Sequence, residues 1–276
     1  ESVDLSVPIV LSDDCSIPGV LQNSLVGYWP FCGNTLNSLD GGLDATANGA
    51  ILTTDRFGEN NNAYLFDGID DWISLNGPLD DMTNFTISAW VYHTGSSYSG
   101  LFSDSDTASA NDLFFNMSQN EIGIHADKQS TNLKSLVILS EDENGNEIPG
   151  PLSGPSAFVT SQDLNGQWQN IVWTLSPVES KLYLNGHNVA VINSSGSNIG
   201  NHDPNPSIGR LTDNATGEFY PTQHFQGKID DFAIWSRTLN SSEVQQLYNI
   251  DSQEIVWSTG ETTETIAVTP SETTEY

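Results

Sequence analysis

The stretch that decides the fold lies near the end of the chain and reads Gly227-Lys-Ile-Asp-Asp-Phe-Ala-Ile-Trp-Ser-Arg-Thr-Leu-Asn-Ser-Ser-Glu-Val-Gln-Gln-Leu-Tyr-Asn249. Its first part, up to Trp235, is rich in apolar and aromatic residues and is predicted to form a long strand. The second part has the helical period, because Val244, Leu247 and Tyr248 fall at i, i+3 and i+4. Asn240 or Ser241 can cap the first turn, so a short helix is predicted directly after the strand.

Upstream of this stretch, apolar and polar residues alternate in ten further short segments, which Gly-, Asn- and Ser-rich turns separate. The segments are 25–30, 63–67, 71–75, 85–92, 112–117, 121–126, 168–175, 181–184, 188–192 and 206–209. Two of them are joined by Asn185-Gly186, which supplies the positive φ angles of a type I′ hairpin turn. Many short strands and one small terminal helix predict an all-β fold, either a sandwich or a jelly roll.

The charge of the chain restricts its partners. Its 276 residues include 36 Asp or Glu against 7 Lys or Arg, which gives a formal net charge of −29 at pH 7. Such a surface repels nucleic acids, anionic membranes and heavily sulfated polymers. No segment approaches the ~18 apolar residues of a membrane span, and the first residues do not resemble a signal peptide. We expect an extracellular protein, secreted or attached to the cell surface, because salt screens the self-repulsion of so acidic a chain.

The two cysteines, Cys15 and Cys32, lie close together near the start of the chain. We predict that they form a disulfide, which pins residues 1–24, a linker with little else to hold it, onto a body spanning 25–250. Closing a loop of this size stabilises a fold by roughly 3 kcal/mol. Two separate buried thiols are the alternative.

Six segments of the body carry a family pattern. In chain order they are Leu25-Val-Gly-Tyr-Trp-Pro-Phe-Cys-Gly-Asn34, Tyr64-Leu-Phe-Asp-Gly-Ile-Asp-Asp-Trp-Ile73, Phe85-Thr-Ile-Ser-Ala-Trp-Val91, Gly166-Gln-Trp-Gln-Asn-Ile-Val172, Lys181-Leu-Tyr-Leu-Asn-Gly186 and Gly227 to Leu239. Together they resemble a laminin-G-like, concanavalin-A-type jelly roll, which implies two packed antiparallel sheets over residues 25–250.

The end of the chain has a different composition. Residues 251–276 are rich in Thr and Glu and alternate like two strands that find no partner within the chain. Residues 255–276 resemble the opening strands of the immunoglobulin-like repeats that follow such modules in large surface and secreted proteins of Bacteroidetes-type bacteria. This resemblance implies a fragment of a longer polypeptide, with neighbouring domains as partners.

The resemblance implies binding rather than catalysis, since the family mostly binds carbohydrates, glycoproteins and other surface ligands, often with calcium. The same fold also hosts glucanases and lyases, so a polysaccharide-degrading domain is one alternative. A purely structural spacer in a surface fibre is another. The Glu-x-Asp-x-x-Glu strand of the glucanases is absent, and glycoside hydrolysis needs two carboxylates flanking the sugar, so no catalytic residue is predicted.

Two acidic motifs suggest a structural calcium. Asp67, Asp70 and Asp71 lie in a bend with Gly68, and Asp230-Asp231 opens the last strand. Ca²⁺ takes six to eight oxygen ligands from carboxylates and carbonyls. In jelly rolls that this chain resembles, the two motifs meet near a calcium. The ligands that this resemblance implies are Asp67, Gly68 through its carbonyl, Asp70, Asp230 and Asp231. Carboxylates that merely accept backbone N–H bonds in turns are the alternative.

Sugar recognition in jelly rolls pairs an aromatic platform with polar hydrogen-bonding groups. We assign four tryptophans of the family-like strands to the core: Trp90, Trp168, Trp173 and Trp235. Trp72, out of phase with its apolar neighbours, and the loop residues Tyr98 and Tyr220 are predicted to be exposed and to bind the ligand. The predicted ligand is a neutral or weakly charged glycan, or a glycosylated surface.

Overall fold

The computed structural model describes residues 3–6, 15–79, 82–95, 99–104, 112–118, 121–127, 140–141, 147–148, 156–159, 163–193, 206–211, 223–249 and 265–268. The strands are β1 (Val3–Ser6), β2 (Leu25–Trp29), β3 (Ala45–Asn48), β4 (Ile51–Thr53), β5 (Ala63–Asp67), β6 (Trp72–Leu75), β7 (Phe85–His93), β8 (Ser99–Ser103), β9 (Asp112–Ser118), β10 (Glu121–Asp127), β11 (Ser140–Glu141), β12 (Glu147–Ile148), β13 (Ser156–Val159), β14 (Trp168–Leu175), β15 (Glu179–Leu184), β16 (His187–Asn193), β17 (Ser207–Ile208), β18 (Gln226–Trp235) and β19 (Thr265–Val268). Every strand predicted in residues 25–235 is present. The predicted hairpin turn is present too, with Asn185 at φ 51° and Gly186 at φ 77°.

Most of these strands form two antiparallel sheets. Eight described strands make one sheet in the order β16-β15-β14-β7-β18-β5-β4, with β2 paired to β18 beside β5. Seven make the other, in the order β13-β10-β9-β8-β17-β6-β3. Strands distant in sequence are therefore neighbours, as the pairing of β18 with β7 and with β5 illustrates.

The main hydrophobic core lies between the two sheets. Fully buried aromatic side chains meet there across the gap: Phe102 lies 5.2 Å from Phe232, and Phe115 lies 6.0 Å from Trp173, measured between ring centroids. Such rings each bury a large apolar area, which is the dominant stabilising contribution to folding. Each sheet therefore has one face toward this core and one outer face.

A second, smaller core covers part of the outer face of the eight-stranded sheet. The helix α1 (Ser241–Tyr248) begins with the predicted capping box, in which Asn240 and Glu243 bond each other's backbone N–H groups. Its buried Val244 and Leu247 pack against strand residues that include Trp235. The all-β sandwich with one short C-terminal helix is thus confirmed for the described residues.

Cys15 and Cys32 form the predicted disulfide. The bond ties the segment that precedes β2 to the chain just after that strand. A short 3₁₀ helix, Gly19–Leu21, follows the first cysteine, and the Leu21 carbonyl accepts a 2.7 Å hydrogen bond from the Trp235 indole. The N-terminal segment is therefore held by packing as well as by the disulfide.

The two ends of the chain also meet. The strand Val3–Ser6 pairs antiparallel with Thr265–Val268, so that Val3 lies opposite Val268. The prediction that the strands after residue 251 have no partner within the chain is therefore wrong. Pairing supplies the backbone hydrogen bonds that an isolated strand lacks. Whether residues 255–276 open an immunoglobulin-like domain stays a prediction.

Candidate functional site

Three carboxylates converge in the tight turn between β5 and β6. One carboxylate oxygen from each of Asp67, Asp70 and Asp71 lies within 4.8 Å of the others. Asp67 Oδ1 accepts the backbone N–H groups of Ile69, at 2.8 Å, and of Asp70, at 3.3 Å. Asp71 Oδ2 accepts the Asp67 N–H at 2.8 Å, so these bonds set the shape of the turn. The second oxygens of Asp67 and Asp71 and the Asp70 carboxylate remain as hard oxygen donors of the kind that Ca²⁺ prefers.

The three acidic residues differ in exposure. Asp67 and Asp70 are exposed, whereas Asp71 is buried. Burial raises the pKa of the Asp71 carboxyl, and the charges of Asp67 and Asp70 act in the same direction. The hydrogen bond from the Asp67 backbone and the nearby His224 oppose that rise in pKa. A bound cation would relieve the repulsion within this group.

The structure does not bring Asp230 and Asp231 to this turn. Asp67 lies opposite Gln226 in the pairing of β5 with β18, and Asp230 is four positions further along that strand. Four strand residues span roughly 13 Å. The prediction that Asp230 or Asp231 joins Asp67 around one cation is therefore wrong.

Asp230 and Asp231 instead bind a buried arginine. The Arg56 guanidinium lies 2.6 Å from Asp230 Oδ2 and 2.7 Å from Asp231 Oδ2. Asp231 also accepts the hydroxyl of Tyr28. It adopts φ 47° at an irregularity in the strand register, which allows two consecutive carboxylates to reach the same guanidinium. The acidic pair that suggested a calcium ligand thus forms an ion-pair network.

Trp72 lies on the outer face of the seven-stranded sheet, next to the acidic turn. Its neighbour Ile73 points into the core, and the Trp72 ring is partly exposed. The Arg210 guanidinium packs 4.2 Å from the ring centroid, and the His224 ring lies 6.5 Å away. His224 Nδ1 is 3.2 Å from the carbonyl oxygen of Asp71, which links the aromatic group to the turn. The other two predicted ligand-binding residues, Tyr98 and Tyr220, lie outside the described residues.

A second aromatic group lies on the outer face of the eight-stranded sheet, and sequence reasoning missed it. Trp173 and Trp235 are fully buried as predicted, but Trp90 and Trp168 are partly exposed, so their assignment to the core is wrong. Tyr92 accompanies them. The alternation of side chains along β7 would have indicated this exposure. Ile87, Ala89 and Val91 face the core, so residues 90 and 92 face outward.

His93 organises the adjacent end of the sandwich. Its ring is fully buried, with Nδ1 2.6 Å from Asn165 Oδ1 and Nε2 3.0 Å from Ser99 Oγ. Burial lowers the pKa of His93, against the effect of the Asn165 bond. A neutral imidazole, donating to Asn165 and accepting from Ser99, fits these contacts. The role of His93 is thus to position the loop ends around it.

Comparison with known proteins defines the class of the chain. Residues 67–245 match a laminin G family model described as concanavalin A-like lectin/glucanases superfamily. The chain belongs to this superfamily, and its two antiparallel sheets have the predicted jelly-roll class. No curated protein sequence matches the chain. Among the described residues, no helix is long and apolar enough to cross a membrane.

Solved structures share the fold at low sequence identity. Domain 4 of AbnA, a GH43 extracellular arabinanase from Geobacillus stearothermophilus solved with arabinotriose, is 14% identical with a TM-score of 0.56, over 81% of this chain and 98% of that one. The binding domain of botulinum neurotoxin DC in complex with SialylT is 13% identical with a TM-score of 0.57, over 85% and 53%. The receptor-binding domain of botulinum neurotoxin type G is 18% identical with a TM-score of 0.53, over 82% and 51%. The match thus spans about half of each neurotoxin domain.

Proposed function

We propose that the chain is a noncatalytic glycan-binding or adhesion module of an extracellular protein, stabilised by calcium. The observation that carries the proposal is the partly exposed ring of Trp72 beside the three carboxylates of Asp67, Asp70 and Asp71. An aromatic face stacks on the C–H face of a sugar, while oxygen and nitrogen groups around it bond the hydroxyls. The structures similar to this chain include one solved with arabinotriose and one solved with SialylT, which supports a sugar ligand.

Calcium is assigned to the turn between β5 and β6. Its ligands would be Asp67, Asp70 and Asp71, with the Gly68 carbonyl and water completing the shell. Three carboxylates within 4.8 Å of one another repel each other, and a bound divalent cation relieves that repulsion better than water does. A cation here would hold the turn beside Trp72 in one conformation, so that the aromatic platform is ordered before the glycan arrives.

The net charge indicates a neutral or weakly charged glycan. At −29 the protein repels polyanions over a Debye length, and the carboxylates near Trp72 add to that repulsion locally. One stacking ring and a few hydrogen bonds give a Kd on the order of 10⁻⁴ M after ordering costs. Repetition along a surface protein could raise avidity by roughly 10²–10⁴ without new contacts.

Glycoside hydrolysis is the weaker alternative. A retaining enzyme places two carboxylates on opposite sides of the scissile bond. Here the converging carboxylates come from one side, within a single turn, and Asp67 and Asp71 both accept backbone N–H bonds of that turn. This arrangement favours a cation over a sugar between the carboxylates.

Sedimentation with insoluble neutral polysaccharides tests binding and cleavage together. We expect the protein to co-sediment with at least one polysaccharide and to release no new reducing ends or unsaturated products. Trp72→Ala should reduce retention, whereas Val178→Ala, which truncates a 70% exposed apolar side chain elsewhere, should not. New reducing ends or unsaturated products would establish an enzyme, and absence of both binding and cleavage would leave a structural spacer.

A further inference from the structure

A narrow cleft opens on the outer face of the eight-stranded sheet, at the edge of α1. It is lined by Tyr28, Ser88, Trp90, Asn170, Asp231 and Leu247, and it admits about one water-sized group. The cleft lies across the core from Trp72, because the outer faces of the two sheets point in opposite directions. It is therefore a place separate from the acidic turn.

Asn170 is the unusual residue of this cleft. Its side chain is 1% exposed, and neither its Nδ2 nor its Oδ1 has a hydrogen-bond partner among the described residues. Its backbone is held by Asn185, through bonds of 2.9 Å and 2.8 Å, so the side chain cannot move away easily. Buried amides almost always have partners, because an unpaired one loses its bonds to water without compensation. The Nδ2 donor and the Oδ1 acceptor of Asn170 therefore suit a ligand group that both accepts and donates hydrogen bonds.

Partly exposed aromatic rings border the cleft. Trp90, opposite Asn170 in the register, stacks on Tyr248 of α1 with 5.6 Å between centroids and 22° between planes. Tyr92 lies two residues after Trp90 in β7, and its ring centroid is 5.8 Å from that of Trp168. Residues two apart on a strand are roughly 7 Å from each other, so the rings form a continuous stripe. These four rings, of Trp90, Tyr92, Trp168 and Tyr248, form the aromatic stripe.

The cations beside the aromatic stripe are already engaged. Arg56 packs 4.9 Å from the Trp90 ring and binds Asp230 and Asp231. Lys228 lies 5.7 Å from the Tyr92 ring and donates to the carbonyl and hydroxyl oxygens of Thr54. These cations hold the rings in place, and the Asp231 carboxylate lines the cleft. The surface therefore disfavours an anionic ligand.

We propose that the cleft and the aromatic stripe form a second carbohydrate site, which takes a neutral sugar. One hydroxyl group enters the cleft and both donates to and accepts from the Asn170 amide. The sugar ring, too large to enter, lies against the exposed edge of Trp90, whose faces pack on Tyr248 and Arg56, and the next residue of the glycan lies toward Tyr92 and Trp168. A hydroxyl suits this amide because, like the amide, it both donates and accepts hydrogen bonds. The site stands independently of the site at Trp72, and two sites on opposite faces would let one module bridge two glycan segments.

Titration of the full chain with neutral oligosaccharides, followed by ¹⁵N NMR, tests this site directly. The probes are arabinotriose, xylohexaose and cellohexaose, each taken to millimolar concentration. We expect at least one of them to shift the Asn170 side-chain NH₂ signals and the Trp90 indole signal in a saturable way. Asn170→Ala should weaken that binding roughly five- to tenfold through the loss of two neutral hydrogen bonds. Trp168→Ala should weaken it as well.

Matched variants separate this site from the one at Trp72. Asn188→Ala removes an exposed asparagine from β16, two strands away from β14 in the same sheet, and should leave the affinity unchanged. Trp72→Ala should leave the shifts at Asn170 and Trp90 intact, so the second site can survive if the proposed function at Trp72 fails. The proposal is overturned if no probe shifts the Asn170 signals, or if Asn170→Ala leaves the affinity unchanged in a folded protein. Either result would mean that the cleft holds only a resident water.

Discussion

Replacing Arg56 by methionine should destabilise the protein strongly, because two buried carboxylates would lose their cation. The side chains of Arg56 and Asp230 are 5% and 0% exposed, and that of Asp231 is 10% exposed. Removing one partner of a buried ion pair costs about 3–5 kcal/mol. The guanidinium serves two carboxylates and also packs 4.5 Å from Phe57 and 4.9 Å from Trp90, so we expect a loss of about 4 kcal/mol.

Urea unfolding followed by tryptophan fluorescence measures this loss. With a slope of about 3 kcal/mol/M, the midpoint should fall by more than about 1 M. Lys181→Met is the matched control, since the pair of Lys181 with Glu179 is 29% and 42% exposed and such pairs are worth at most about 1 kcal/mol. Adding Asp230→Asn and Asp231→Asn to Arg56→Met should recover part of the stability. Equal, small losses for Arg56→Met and Lys181→Met would refute the argument from burial.

Two further predictions concern the disulfide and the acidic turn. Replacing Cys15 and Cys32 by alanine should lower the free energy of unfolding by about 3 kcal/mol, since they are 17 positions apart in the sequence. Thiol titration of denatured, unreduced protein should find no thiol; two would contradict the pairing. Calcium at a hundred times its Kd should stabilise the fold by about 2.7 kcal/mol, and Asp71→Asn should abolish that response. In chelator at neutral pH, Asp71→Asn should melt at a higher temperature than the parent. The folded state raises the pKa of Asp71, so the ionised carboxylate destabilises the fold at pH values above that pKa. This destabilisation disappears as the pH falls through the raised pKa. Identical melting temperatures of the parent in calcium and in chelator would contradict the assignment of a cation to this turn.

The strands that were predicted correctly are those with strong local alternation. In β7 the apolar residues Ile87, Ala89 and Val91 recur at every second position and face the core. The same alternation places Trp90 and Tyr92 outside, and the error was to assign Trp90 to the core because it lies in a family-like strand. Phase along a strand is therefore a better guide to the exposure of an aromatic side chain than its hydrophobicity.

The strands that were missed are short and owe their conformation to their neighbours. The strand Ser99–Ser103 contains Gly100, a residue with low strand propensity. A Cβ atom at this position would lie 2.4 Å from the backbone of Arg210 and Leu211, so only glycine allows the close approach. That approach involves residues more than a hundred positions away, which no local pattern reveals.

The amino-acid sequence by itself determined the alternation of the strands, the capped helix, the Asn-Gly turn and the acidic bend at Asp67. All of these depend on residues within a few positions of one another, where periodicity and turn chemistry act. Only the tertiary structure decided that Asp230 meets Arg56 rather than Asp67, and that the buried Asn170 amide has no hydrogen-bond partner among the described residues. Arg56 and Asp230 are 174 positions apart, and the order of strands in the sheet brings them together. Pairing of charges and burial of amides follow that order, which long connections between strands establish and which local sequence does not encode.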